Sequence, residues 1–257
     1  MKACIAILSV GLSALPHYAF AGTSPVLHET MTTRAFVQKS GEEEGSSQSD
    51  LTYEQGRVRL AEVRTPTKGR VQRVDVVFDP ETLHPISWIR RIGDGADEIR
   101  TELQLAKGQI EARTLKGGKV TKVSTLAVPE PPWCVAPLVK FQAALCAAAS
   151  GTIRHIRTVA VREDGSLKLA EMKVEYLGLA TVTVPAGEFR CHHLRLTPQS
   201  KLMTALVPDG EIFIGEDGTH PMVKTVLPAT PLSSAIVTEL QSYTVQTNMQ
   251  ATITPQP

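Results

Sequence analysis

Cys191, His192 and His193 form the densest run of reactive side chains in the chain. On an extended strand, side chains alternate between faces, so Cys191 and His193 point one way and His192 the other. A thiolate and an imidazole on one face are half of a zinc or copper ligand set. His84, His155 and His220 stand at no spacing that would complete the set. Cys191 and His193 are therefore weak metal candidates. The simpler expectation is a strand with Cys191 bridged or buried and both histidines near the surface. No cofactor is implied.

Other catalytic constellations fail earlier. The chain has no G-x-S-x-G elbow, H-E-x-x-H pair, P-loop or G-x-G-x-x-G turn. Ser46 and Ser47 lie in an acidic polar stretch, and Glu42–Glu44 and Glu216–Asp217 read as solubilising surface rather than as a carboxylate pair. No catalytic residue is assigned, and the balance leans away from an enzyme.

The first 21 residues carry a different kind of information. Lys2, an apolar run from Ala3 to Leu15 and the small-x-small site Ala19-Phe20-Ala21 are the three parts of a secretory signal peptide. That run is shorter than the ~20 apolar residues needed to span a bilayer. Cleavage is expected after Ala21, giving a periplasmic or secreted protein without a transmembrane span. The formal net charge of +1 offers nothing to nucleic acid.

Cys134, Cys146 and Cys191 remain after such cleavage, and an odd count in an oxidising compartment suggests one bridge and one leftover thiol. Residues 137–149 read as a helix with Leu138, Phe141 and Leu145 on one face. Extended back to Val135, that helix would hold Cys134 and Cys146 ~18 Å apart, and Cys191 would pair with one of them. Broken at Pro137, it would leave Cys134–Cys146 as a local bridge. Both arrangements stay open on sequence grounds.

Two-residue alternation dominates the rest. Val74, Val76 and Phe78 share a face, as do Leu103 and Leu105, and Met172, Val174 and Tyr176. Tight-turn sequences separate such runs at Lys116–Lys119, Glu163–Ser166, Val184–Gly187 and Glu216–Thr219. The expected fold is mainly β. It is a curved antiparallel meander of about ten strands, closing into a barrel or half-barrel, with one amphipathic helix near 136–149 across or inside it. The divisions are a signal peptide (1–21), an N-terminal strand around Thr32–Gln38 with the acidic flexible loop Gly41–Asp50 (22–50), the β domain (51–247) and a C-terminal tail (248–257). The arginines between Arg57 and Arg73 could meet anionic headgroups or an acidic glycan. They read more simply as a solvated strand face guarding a sheet edge. Trp88, with Ile86 and Arg90 on its face, is either core or the rim of a pocket.

Three segments together resemble a family of bacterial envelope proteins, domain of unknown function 3108. They are Phe78-Asp79-Pro80-Glu81-Thr82-Leu83-His84-Pro85, Thr183-Val184-Pro185-Ala186-Gly187-Glu188-Phe189, and Glu211 to Lys224 closing with Thr238 to Tyr243. The resemblance spans Phe78 to Tyr243 and implies an exported, mostly β protein with no catalytic residues to carry over. A wider likeness, at the level of fold alone, is to half-barrel envelope carriers whose covering helix holds acyl chains. The resulting expectation is a non-enzymatic binding or carrier module for an apolar or lipid-like ligand, lined by Trp88, Trp133, Leu138, Phe141 and Leu145. A structural or assembly protein of the envelope, holding a protein or glycan partner, is the alternative. A hydrolase with an unrecognised site is the least favoured.

Overall fold

A computed structural model describes residues 30–41, 43–54, 56–78, 85–106, 108–128, 133–134, 149–162, 164–199, 208–216, 222–230 and 234–247. The leader, Leu138, Phe141, Leu145, Cys146, the tail and nearly all of the expected 136–149 helix lie outside these residues. No helix among the described residues is long and apolar enough to cross a membrane.

The described residues build one fifteen-stranded sheet. Its first half is β1 (Thr30–Ser40), β2 (Glu43–Glu54), β3 (Arg57–Pro66), β4 (Gln72–Phe78), β5 (Pro85–Ile92), β6 (Ile99–Ala106), β7 (Gln109–Lys116) and β8 (Lys119–Ala127). The second half is β9 (Trp133–Cys134), β10 (Ile153–Val161), β11 (Leu167–Val184), β12 (Gly187–Pro198), β13 (Gly210–Gly215), β14 (Met222–Leu227) and β15 (Ile236–Thr247). Each half is a meander in sequence order, and β1 pairs antiparallel with β15 to join them. Among the described residues every pairing is antiparallel except the two-residue parallel contact of β9 with β10. The ladder therefore ends at β8 on one side and β9 on the other, and does not close into a hydrogen-bonded barrel among the described residues.

The turns form where glycine permits them. Gly117 and Gly118, at φ 55° and 75°, make the two-residue β7–β8 hairpin, because that turn needs positive φ at both central residues. The family-like segments also fall at strand junctions: Phe78 opposes Pro85 across the β4–β5 connection, and Val184 opposes Gly187 across the β11–β12 corner.

Several expectations are corrected. Gly41–Asp50 is not a flexible loop, since Glu43 onward forms β2, paired on both sides. Its polar composition hid a strand whose backbone bonds are satisfied by β1 and β3. A Cβ at Gly45 would stand 3.1 Å from the carbonyl oxygen of Thr65, a tight contact that glycine avoids. The arginine-rich stretch lies on β3 and β4, inside the sheet rather than at an edge. Its charges are matched locally, Arg59 with Asp75, Arg64 with Glu62 and Arg73 with Asp94. Ile86 does not share the face of Trp88. The register skips it at a bulge between Val77 and Phe78, and it is exposed.

Two apolar clusters lie in the interior. One gathers Phe36, Ile156, Met172, Val174, Tyr176, Leu194, Leu196, Ile212, Ile214 and Leu240 from β1 and β10–β15. The other gathers Leu51, Leu60, Val76, Trp88, Leu103 and Ala112 from β2–β7, together with Val159 of β10. Val159 shows that the second cluster spans the open seam. The sheet curls until its two ends share a core.

Candidate functional site

Register places the residues of the second cluster in layers. Directly opposed residues on neighbouring antiparallel strands share a face. Leu51 opposes Leu60, Leu60 opposes Val76, Val76 opposes Trp88, Trp88 opposes Leu103 and Leu103 opposes Ala112. All six are buried. This is an apolar layer running straight across β2–β7.

Two residues along each strand, on the same face, lies a second layer of different chemistry. Ser49 opposes Glu62, Glu62 opposes Val74, Val74 opposes Arg90, Arg90 opposes Thr101 and Thr101 opposes Thr114. None of these six is more than 6% exposed. Five of them are polar, in a position where apolar residues are the rule. Thr114 in turn opposes Lys122 on β8.

The β10–β11 turn roofs this layer. Arg90 donates from Nη1 to the carbonyl oxygen of Val161 at 2.9 Å and from Nη2 to that of Arg162. Its guanidinium carbon stands 5.7 Å from the centroid of the Trp88 ring, within cation–π range. Lys122 pairs with Asp164 on the turn at 2.8 Å. The hydrogen bond from Lys122, with further bonds from the Ser166 hydroxyl and backbone N–H, holds the Asp164 carboxyl well below the usual carboxylate range. Gly165, at φ 78°, lies directly over Thr114: a Cβ there would sit 1.9 Å from Oγ1. At the other end of the layer, Arg64 grips Glu62 in a fork, Nε to Oε1 at 2.6 Å and Nη2 to Oε2 at 3.1 Å.

The polar atoms buried here without a hydrogen-bond partner among the described residues include Nε1 of Trp88 and the hydroxyls of Thr101 and Thr114. Each such atom costs about 1–3 kcal/mol of desolvation that no internal bond returns. Their concentration in one patch of the interior marks it as the candidate site. Chemically, the patch offers hydrogen-bond donors beside an apolar layer.

Among the candidate site residues that the structure describes, Trp88 falls in this site. The backbone of Trp133 lies on β9, opposite Arg157. Cys191 is a buried thiol whose Sγ donates to the carbonyl oxygen of Phe189 at 3.6 Å, the buried one of the two states, bridged or buried, that the sequence allows. Of the two histidines, His192 lies inside rather than near the surface, and His193 is half-buried. His192 is buried and shares a 3.1 Å hydrogen bond with the Tyr176 hydroxyl, while His193 stacks on Phe213 with ring centroids 4.4 Å apart. His192 shares its strand face with the buried Leu194 and Leu196, which explains the difference. Among the described residues no three His, Cys, Asp or Glu side chains come together as a metal site, so Cys191 and His193 gain no further ligand. Sequence reasoning does not find Arg90, Thr101, Thr114, Ser49 and Glu62 as site residues. The one available signal is polar residues at inward positions of alternating strands, such as Arg90 two residues after Trp88.

No curated protein matches the chain. Among solved structures it is similar to a β-barrel-like protein of domain of unknown function DUF1849 from Brucella abortus, with a TM-score of 0.56 and 9% identity over 86% of this chain and 98% of that one. At that identity the likeness concerns the fold alone, and it agrees with a mainly antiparallel, barrel-like sheet. The family model described as protein of unknown function (DUF3108) matches residues 30–229, beginning well before Phe78, where the sequence resemblance starts. The chain belongs to the DUF3108 family.

Proposed function

We propose that this chain is an exported, non-enzymatic binding module for an apolar or lipid-like ligand. The observation that carries the reading is the layered interior: a continuous apolar layer beside a buried polar one, inside a sheet whose ladder is open between β8 and β9 among the described residues. An amphiphile has the same two-part chemistry, and an open seam gives it a way in without breaking strand pairing. Leu138, Phe141 and Leu145, between β9 and β10 in the sequence, have a helical spacing that suits an apolar cover. The leader-like first 21 residues supply the reason to place it outside the cytoplasm.

Native mass spectrometry of protein purified from its own host tests this. A co-purifying lipid-like adduct on a chain beginning at Gly22 is the expected result. A chain that retains its leader overturns export. An adduct-free chain that also ignores added acyl compounds overturns binding.

A second reading, an assembly role, draws on a different feature. β8 is a nine-residue strand at the end of the ladder, with Val120 and Val123 more than half exposed. Such an edge can accept a partner strand, although Lys119 and Lys122 discourage indiscriminate pairing. Crosslinking in cells from β8 separates the two, giving a reproducible protein partner for assembly and lipid adducts for carriage.

A further inference from the structure

We infer that Trp88, Thr101 and Thr114 form the recognition point for an acyl oxygen, the carbonyl or carboxyl group at the head of a fatty chain. The inference rests on the binding reading above and names the chemistry of its ligand. In this arrangement the polar layer takes the head, and the layer of Leu60, Val76 and Leu103 takes the chain.

The geometry favours this head group for three reasons. An indole N–H can only donate, so the partner that Nε1 of Trp88 lacks is an acceptor. Thr101 opposes Arg90 and is therefore the diagonal neighbour of Trp88 across β5 and β6, on the same face of the sheet. The indole itself is fixed, buried at 2% exposure and flanked by a guanidinium that is tied to the carbonyls of Val161 and Arg162. Rigid donors with no internal acceptor are what an oxygen-headed ligand requires. A hydrocarbon without oxygen would leave them as they are.

Binding of palmitic acid, methyl palmitate and hexadecane to the mature chain, compared with Thr101→Val and Trp88→Phe variants, tests the assignment. The parent is expected to bind the two oxygen-bearing probes more tightly than hexadecane. Each variant should lose about tenfold in affinity for those two and keep its hexadecane affinity, since one hydrogen bond to a buried donor is worth about that factor. Preference for the acid over the ester identifies a carboxylate, and equal binding a carbonyl. Equal binding of all three probes by parent and variants overturns the acyl-oxygen assignment while leaving apolar binding intact. A parent that binds none of them overturns the binding reading itself. Denaturant unfolding of the ligand-free proteins gives an independent readout. Thr101→Val should be as stable as the parent or more so, because it replaces an unpartnered hydroxyl with a methyl group of the same shape. A clear loss of stability would mean that the hydroxyl is already satisfied and would overturn the inference.

Discussion

Arg90 and Val161 stand 71 residues apart in sequence, yet Nη1 of Arg90 donates to the carbonyl oxygen of Val161 at 2.9 Å. The contact joins β5 to the far end of β10 across a seam that no strand pairing bridges among the described residues. With the companion bond to the carbonyl of Arg162, it fastens the β10–β11 turn over the polar layer. Side chains thus do at this seam what a ladder does elsewhere in the sheet.

Arg90→Met should therefore loosen the seam. Hydrogen bonds from charged donors contribute about 1.5–3 kcal/mol each, and the variant also leaves two carbonyls without this donor. A loss of about 2–4 kcal/mol in urea unfolding is expected, with faster amide exchange in the turn. Arg59→Met, which breaks a solvent-exposed pair with Asp75, should cost under about 1 kcal/mol. Equal effects from the two variants would remove Arg90 from this role.

Gly165 sits where a side chain cannot. Gly165→Ala would place a Cβ 1.9 Å from Oγ1 of Thr114, at a φ of 78° that already costs an alanine about 1–2 kcal/mol. The combined loss should exceed about 2 kcal/mol. Thr114→Ala in the same chain should recover the part due to the clash and leave the backbone part. A double-mutant cycle with no coupling would show that the turn does not rest on Thr114.

Much of the fold can be read from the sequence. The inward sets Val74–Val76–Phe78 and Met172–Val174–Tyr176 are buried as their alternation requires. The glycine turns at 117–118, 165 and 187 lie where the strands reverse. β2 is not legible, because Ser46, Ser47, Gln48 and Ser49 carry no apolar face. The layer that includes Arg90, Thr101 and Thr114 is not legible either. Each of these residues alone looks like an ordinary polar position on a strand. Only register between strands, which no local pattern encodes, aligns them in one row.

The Lys122–Asp164 pair gives the turn an acid-side signature. The folded Asp164 carboxyl titrates below its unfolded value of ~3.9, so its contribution is fully present above about pH 4 and disappears only as the pH falls toward the lowered folded value. Both side chains are well exposed, which keeps the effect below about 1 kcal/mol and makes it sensitive to salt. Asp164→Asn should lower stability slightly at neutral pH and make progressively less difference as the solution is acidified. A difference that persists unchanged into strong acid would assign the turn's stability to other contacts.

Cys191 supplies the last expectation, because burial and chemistry act on it together. Its thiol is fully buried and donates to the Phe189 carbonyl, so an aromatic disulfide reagent should leave it untouched in the native protein. Unfolding exposes it, and the thiol count then reports on the other two cysteines. If export and cleavage after Ala21 let Cys134 join Cys146, unfolding without reductant should release one thiol per chain, and unfolding with reductant three. Three thiols without reductant would exclude that bridge. Rapid labelling of Cys191 in the folded protein would show that the β11–β12 hairpin, tied to β15 by the bond from the Ala186 amide to the Leu240 carbonyl at 3.1 Å, opens far more readily than its packing implies.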